Sequence, residues 1–371
     1  MSAPHPISPA EAFEHQDSVF APAFSFLQEA IAQKAFPAAS IAVTHRARLV
    51  ALKTLGQFTY EPNSSPAAPS TLFDLASLTK VAATTPMAML LYERGLLDLD
   101  APVSAIVPEF TTDPEKDPRR QEVTLRMLLA HSSGLPAYEK LYLNARTRAE
   151  LLEAAVTMPL AANPATRTAY SDIGFIILGI ALERIADESL DRFCQREIFA
   201  PLSMTNTTFN PPAEISAKIP PTANDQTFRH RIVQGEVQDE NASVLGGVAP
   251  QAGLFSTAQD LAKFAQAMLN QGRPILRPET VSLFTRRESA PTATSRALGW
   301  DTPSSPSQSG KYFSPQSYGH LGYTGTSLWI DPSRQFSITL LTNRTWPDCK
   351  NQLIKQVRPK FHDAVIEALN R

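Results

Sequence analysis

Runs that read as strands lie near both ends of this chain, with helical patterns between them, and that placement limits what it can fold into. Residues 38–45 and 47–52 are rich in β-branched and small apolar residues and are split by a tight turn. Residues 327–331 and 335–342 repeat the pattern around the turn 332–334, so a second hairpin with mixed-face burial is expected there. Between them, apolar residues recur at helical spacing over 77–97, 123–131, 147–158, 174–186, 189–200, 259–271 and 278–286. Helices over 18–34 and 349–370 bracket the whole. Strands at the two ends bury their faces most simply in one shared sheet. The predicted class is therefore α+β: an antiparallel sheet flanked by N- and C-terminal helices, with an all-helical insert. Residues 1–76 together with 250–371 form the expected sheet unit and 77–249 the insert. The two act as one functional unit, with a site at their seam. Residues 1–15 read as a Pro-rich arm and 98–123 as a Pro- and Asp-rich excursion. The stretch 201–258 is mostly loop, and a loop that long is usually functional.

Composition narrows the function classes. A formal net charge of -2 over 371 residues offers no basic field for nucleic acid or an anionic membrane. Two cysteines, Cys194 and Cys349, are too few for a disulfide framework and read as inert thiols. The histidines are scattered without ligand spacing, so no metal site is expected. No apolar run is long enough for a membrane span, and residues 1–9 lack the pattern of a secretory signal. Cytoplasmic residence is the default expectation, the partner a small molecule, and the oligomeric state open.

The chemistry concentrates at Ser77 and Lys80. Three residues apart at the opening of a helix, they share a face. A serine hydroxyl is a weak nucleophile until a neighbour takes its proton, and a buried lysine amine can serve. The free N–H groups of a helix start suit a developing oxyanion. The apolar run 81–91 turns this lysine toward the interior; the competing reading is a capping serine with a surface lysine. Such a pair needs a second acid/base group, two oxyanion donors and a wall to align the substrate. Tyr170 and Asp172 sit in an irregular loop before a helix. His320, Gly322 and Tyr323 sit on the strand before the last hairpin, where glycines let a substrate backbone come close. His131 reads as structural. The stretch 238–241 is either a self-satisfied polar loop or a wall of the cleft, and Trp300 and Trp329 read as packing residues.

Ser77-x-x-Lys80, Tyr170-Ser171-Asp172 and His320-Leu321-Gly322, in this order, resemble the penicillin-binding and class C β-lactamase-like serine hydrolases. That family's motifs are Ser-x-x-Lys, Tyr-x-Asn and Lys/His-Thr-Gly. The likeness extends through 123–136, 170–179, 199–204, 235–242, 252–260 and 319–332, and spans about 20–345. It implies Ser77 as nucleophile of an acyl-enzyme, Lys80 as its activator and Tyr170 as proton shuttle. It also implies an oxyanion hole from the backbone N–H groups of Ser77 and Tyr323, and no metal or organic cofactor. Three departures bear on substrate. Asp172 stands where the family usually has Asn, and an ionised Asp only accepts hydrogen bonds. A carboxylate there also favours the Lys80 ammonium and shifts the burden to Tyr170. Leu321 replaces a Thr hydroxyl, and His320 replaces a fixed lysine charge by a titratable one. Together they fit a neutral ester or other acyl substrate at least as well as a β-lactam or a D-Ala carboxylate, although Arg344 or backbone donors could compensate. The expected function is a serine hydrolase leaning toward esterase or broad acyl hydrolase. The alternatives are an efficient β-lactamase, a D-Ala-type peptidase, or a catalytically weak ligand-binding relative. A Ser-His-Asp esterase of the α/β-hydrolase kind lacks its Gly-x-Ser-x-Gly elbow here.

Overall fold

The computed structural model describes residues 8–111 and 116–370. The first seven residues of the expected Pro-rich arm and residues 112–115 of the excursion lie outside the described residues. The main sheet has six strands: β1 (Ala10–Glu11), β2 (Ala38–His45), β3 (Arg48–Gly56), β4 (Tyr318–Leu321), β5 (Ser327–Asp331) and β6 (Phe336–Thr342), in the spatial order β1-β3-β2-β6-β5-β4. The two ends of the chain meet where β2 pairs antiparallel with β6, Ile41 opposite Leu340. The β2–β3 hairpin closes through Arg46 and Ala47, both left-handed at φ 49° and 62°. That backbone twist matches the strands it joins. One strand departs from the expected antiparallel order: β1 pairs parallel with β3 at the sheet edge. Two exposed residues carry no alternation by which a sequence could announce them.

The β5–β6 hairpin is buried along its whole length rather than on one face. Helices cover both sides. On one side α1 (Ala21–Ala32) and α5 (Ile354–Leu369) pack Phe24, Leu27, Phe361 and Val365 against Ile41, Val43, Trp329 and Ile338. On the other, α4 (Ala258–Leu269) and the helical region share a core with Ala42, Leu328, Ile330 and Leu341. Leu328 and Ile330 face inward and Trp329 outward, the two-residue alternation of a strand. Trp300 and Trp329 are both buried packing residues.

The segment after Ser77 is not one uniform helix to about Leu97. It runs as a 3₁₀ turn (Ala76–Leu78), a π turn (Lys80–Thr84) and then α2 (Thr85–Glu93). Thr85 N–H reaches back five residues to Lys80 O. Pro86 has no N–H for the regular bond to Ala82, which breaks the α pattern at this point. Single π turns recur at functional sites. A small sheet fixes the entry to this segment: Phe73–Asp74 pairs with Leu254–Ser256, which pairs in turn with Thr208–Phe209. Short strands and the helix Glu240–Val244 thus interrupt the stretch 201–258, which reads from sequence as mostly loop.

Candidate active site

Ala76, immediately before Ser77, holds a left-handed φ of 47°. A non-glycine residue there is strained and persists only where its surroundings fix it. Asp74 does so. Its Oδ1 accepts Ala76 N–H at 2.8 Å and its Oδ2 accepts Gln238 N–H at 2.7 Å. Thr79 Oγ1 donates to Ala76 O at 2.7 Å and accepts Leu254 N–H at 3.1 Å. Ser77 is thereby presented at the rim of a cleft of about 800 Å³.

The side chains singled out by spacing converge on its oxygen. Lys80 Nζ donates to Ser77 Oγ at 3.0 Å, and Tyr170 Oη donates to the same oxygen at 2.7 Å. Lys80 is fully buried. Its Nζ also donates to Gln251 O at 2.9 Å and forms an ion pair with Asp172 Oδ1 at 2.6 Å. Three acceptors therefore surround three ammonium protons. Burial alone favours the free amine, but the Asp172 charge and the Tyr170 oxygen outweigh it and hold Lys80 above the usual lysine range. Burial, with the Asp172 charge adding, pushes the Tyr170 phenol up to about 12, against the pull of Lys80 and Ser77. The resting site is an ammonium and a phenol, both donating to one serine oxygen.

Tyr170 is fixed by a pair of loops. Ser171 N–H donates to His131 Nδ1 at 3.0 Å, Ala169 N–H to His131 O at 2.9 Å, and Asp172 N–H to Ala137 O at 2.8 Å. Ser171 then caps helix α3 (Asp172–Ala186) through Gly174 N–H. The His131 ring lies 4.7 Å from the Tyr170 ring. Burial, with Arg296 and Lys80 adding, holds the imidazole well below its usual pKa. The structural reading of His131 stands, and its work is to position Tyr170.

The far wall carries His320, Leu321, Gly322 and Tyr323. The turn after β4 is stitched to the residues before Ser77: Thr324 Oγ1 donates to Asp74 O at 2.8 Å and Thr326 Oγ1 to Leu75 O at 3.0 Å. Among the described residues, neither Ser77 N–H nor Tyr323 N–H donates to a protein acceptor. Both residues line the cleft, as an oxyanion hole requires. Two expectations change here. Gly322 is demanded by packing rather than by substrate approach, since a Cβ would overlap Thr326 Oγ1 and Leu75 O. His320 does not supply a titratable charge. Burial, then Arg296 and Lys80, push its pKa well below the usual value, and its Nδ1–H donates to Leu321 O at 2.8 Å. The positive charge on this side belongs to Arg296, Arg344 and Arg358, which line the cleft.

Sequence spacing alone does not reach Gln251 or Asp74. Gln251 holds Lys80 from 171 positions away, and no local pattern predicts that contact. The stretch 238–241 is a cleft wall: Gln238, Asp239 and Glu240 line it. Of the two thiols, Cys194 is buried and its pKa raised by burial, whereas Cys349 is exposed at the cleft. Among the described residues no group of side chains fits a metal ion, and no helix is long and apolar enough to cross a membrane.

Comparison with known proteins bears on this geometry. A family model described as Beta-lactamase matches residues 24–356. Two relatives are each 34% identical over 304 residues, covering 74% of this chain. One is the N-acetylmuramyl-L-alanine amidase of Bacillus subtilis (strain 168), of which 68% is covered. The other is a putative D-alanyl-D-alanine carboxypeptidase of Escherichia coli (strain K12), of which 69% is covered. Among solved structures, EstCE1, described as a hydrolase with promiscuous acyltransferase activity, superposes with a TM-score of 0.77 at 20% identity, over 94% of this chain and 99% of that one. At that identity the likeness speaks for the fold alone.

Proposed function

The chain belongs to the Beta-lactamase family, and from that premise we propose that it is a serine hydrolase that cleaves ester or amide acyl substrates through an acyl-enzyme on Ser77. The observation that carries this reading is the sharing of Ser77 Oγ by Lys80 Nζ at 3.0 Å and Tyr170 Oη at 2.7 Å on the rim of a cleft. With Lys80 held as an ammonium, Tyr170 is the relay. With substrate bound, the Tyr170 O–H turns from Ser77 Oγ to the leaving atom and the Ser77 O–H turns to the Tyr170 oxygen; as Ser77 Oγ bonds to the acyl carbon, the serine proton passes to the Tyr170 oxygen. Tyr170 gives its own proton to the leaving oxygen or nitrogen, and the bond to that atom breaks. No group needs to begin the step as a free base. The Lys80 ammonium steadies the charge on Ser77 Oγ, and the N–H groups of Ser77 and Tyr323 take up the charge on the acyl oxygen. In the second half, water replaces the leaving group and Tyr170 works in reverse.

Substrate class follows from the walls. Neutral His320 and apolar Leu321 lack the lysine and threonine that hold a carboxylate, which favours a neutral ester or amide over a β-lactam. A second reading, cleavage of a peptide ending in a carboxylate, is favoured by Arg344 and Arg358. Arg344 donates to the carbonyls of Tyr323, Cys349 and Asn351, and Arg358 to those of Gly322 and Gly325; no carboxylate partner of either is found among the described residues. The name of one 34%-identical relative, a putative D-alanyl-D-alanine carboxypeptidase, points the same way.

The test is turnover of a short-chain p-nitrophenyl ester, a chromogenic cephalosporin and an N-acyl-D-Ala-D-Ala peptide, by the native protein and by Ser77→Ala. Ester turnover that Ser77→Ala abolishes, with little cephalosporin turnover, is expected. Release of D-Ala at a comparable rate would select the peptidase reading. If none of the three turns over and mass spectrometry finds no acyl adduct on Ser77, the protein is a binding relative rather than a hydrolase.

A further inference from the structure

One wall of the cleft is acidic and aromatic. Asp239 and Glu240 line it beside Tyr138 and Tyr142, and Asp172 stands at its inner end. Neither Asp239 nor Glu240 forms an ion pair among the described residues. Asp172 pairs with Lys80. The nearby Arg229 guanidinium pairs with Asp225 and otherwise donates to the carbonyls of residues 237–239. Lys140 also lines the cleft. Asp239 Oδ1 accepts Ala242 N–H at 2.6 Å and the Gln251 amide at 3.5 Å. Its other oxygen and both oxygens of Glu240 accept no side-chain or backbone hydrogen bond among the described residues.

A second observation points to a ligand here. Gln251, with 1% of its surface exposed, lines the cleft, and its Oε1 has no hydrogen-bond partner. A buried carbonyl oxygen left without a donor costs about 1–3 kcal/mol, so a donor supplied by a ligand recovers that loss. The wall's own electrostatics agree. Withdrawal from water and the Asp172 charge raise Asp239 to about 7, and Asp239 and Glu240 add to the effect of burial in raising the Tyr138 phenol. Carboxylates crowded together, beside phenol rings and an unpaired carbonyl oxygen, are the chemistry that receives an ammonium ion.

We propose that Asp239, Glu240 and Gln251, with Tyr138 and Tyr142, form a subsite for a protonated primary amine on the acyl part of the substrate. The substrate class is then an aminoacyl ester or amide with its amine free, rather than an N-acylated one. This deepens the acyl-enzyme reading and rests on it.

Three p-nitrophenyl esters separate the two ideas: those of alanine, N-acetylalanine and propionic acid, with both enantiomers of the first two and spontaneous hydrolysis subtracted. The free-amine ester is expected to exceed its N-acetyl counterpart by about tenfold or more in kcat/KM, the worth of one partly desolvated ionic contact. In Glu240→Gln and in Asp239→Asn that ratio falls toward one. It is taken within each variant, so that a general loss of activity cancels, and Asn at 239 keeps the cap on the helix that follows. Ser77-dependent turnover of all three esters with the N-acetyl ester equal or better overturns the amine subsite and leaves the hydrolase reading intact. If none turns over, the hydrolase reading fails and the subsite is judged by calorimetry with alaninamide and N-acetylalaninamide. Tighter binding of alaninamide then supports it, and equal or weaker binding overturns it.

Discussion

Asp172 changes the chemistry of its neighbours more than any other single residue in the cleft. Its carboxylate 2.6 Å from Lys80 Nζ is why the lysine stays charged despite complete burial. Replacing it by Asn removes that attraction and lowers the pKa of Lys80 and of Tyr170 together. If the ammonium is the working form, the alkaline limb of kcat/KM moves to lower pH in Asp172→Asn, because Lys80 loses its proton sooner. If neutral Lys80 were the base, the same variant would gain activity at neutral pH instead. A pH–rate profile of the two proteins decides between them. Stability moves in a stated direction as well. Lys80 is raised on folding, so its contribution is complete below the ordinary lysine value near 10.5 and is lost as pH climbs through the raised one. Ser77 and Lys80 were legible because i and i+3 on a helix meet whatever the rest of the chain does. The neutrality of His320 was not, since it depends on Arg296 and on burial, neither of which is written near His320.

Between residues and fold stands the loop pair that carries Tyr170. The stretch around 163–172 lies along 131–137, held by Ala165 N–H to Ser132 O at 2.8 Å, Ala169 N–H to His131 O at 2.9 Å and Asp172 N–H to Ala137 O at 2.8 Å. His131 contributes both an acceptor nitrogen and a ring face, from a left-handed backbone at φ 56°. His131→Ala leaves Ser171 N–H without an acceptor at a cost of about 1–3 kcal/mol. The phenol that should meet Ser77 Oγ then loses its fixed place, and kcat is expected to fall by about tenfold or more with little change in KM, since a misplaced catalytic group costs rate. His131→Asn restores an acceptor and tolerates left-handed φ, so it should recover part of that loss. Equal effects of Ala and Asn would mean that only the ring packing matters. Apolar spacing over 123–131 predicts a helix, which in the structure spans only Leu125–Leu129, with the Thr124 side chain accepting Met127 N–H at its start. Spacing does not identify the loop pairing, because such loops carry no period. The π turn after Lys80 was hidden for a related reason: Pro86 marks the place, but the pattern of apolar residues there is equally that of an α-helix.

Across the whole molecule, strands from the two ends make one sheet, and that much followed from their placement in the chain. Whether the sheet unit (1–76 with 250–371) and the helical insert (77–249) are separable depends on how the core is shared. One continuous cluster contains Ala38, Ala42 and Leu328 of the sheet together with Leu90, Leu129, Phe175 and Leu178 of the helical region. Thr208–Phe209 of the insert pairs with Leu254–Ser256 of the sheet unit, and Gly299 N–H donates to Leu129 O at 2.9 Å, so the boundary is crossed by backbone as well as by side chains. Parting the units would expose large apolar residues on both sides, at about 1.5–3 kcal/mol for each buried Leu or Phe. We propose that they unfold together. The tryptophans supply the probes. Trp300 stacks on Phe264 in the inner cluster, whereas Trp329 packs with Phe313 in the outer one beneath α1 and α5. In urea, with Trp346 replaced by Phe throughout so that a single tryptophan reports, the fluorescence of Trp329→Phe, the fluorescence of Trp300→Phe, and far-ultraviolet circular dichroism should each have the same midpoint as loss of ester turnover in the same protein. An outer transition at lower urea than the inner one would show that α1, α5 and the outer sheet face come away first. Loss of activity ahead of both would place the weakest join at the cleft itself, where Lys80, Gln251 and Asp172 hold the two halves together around one buried charge.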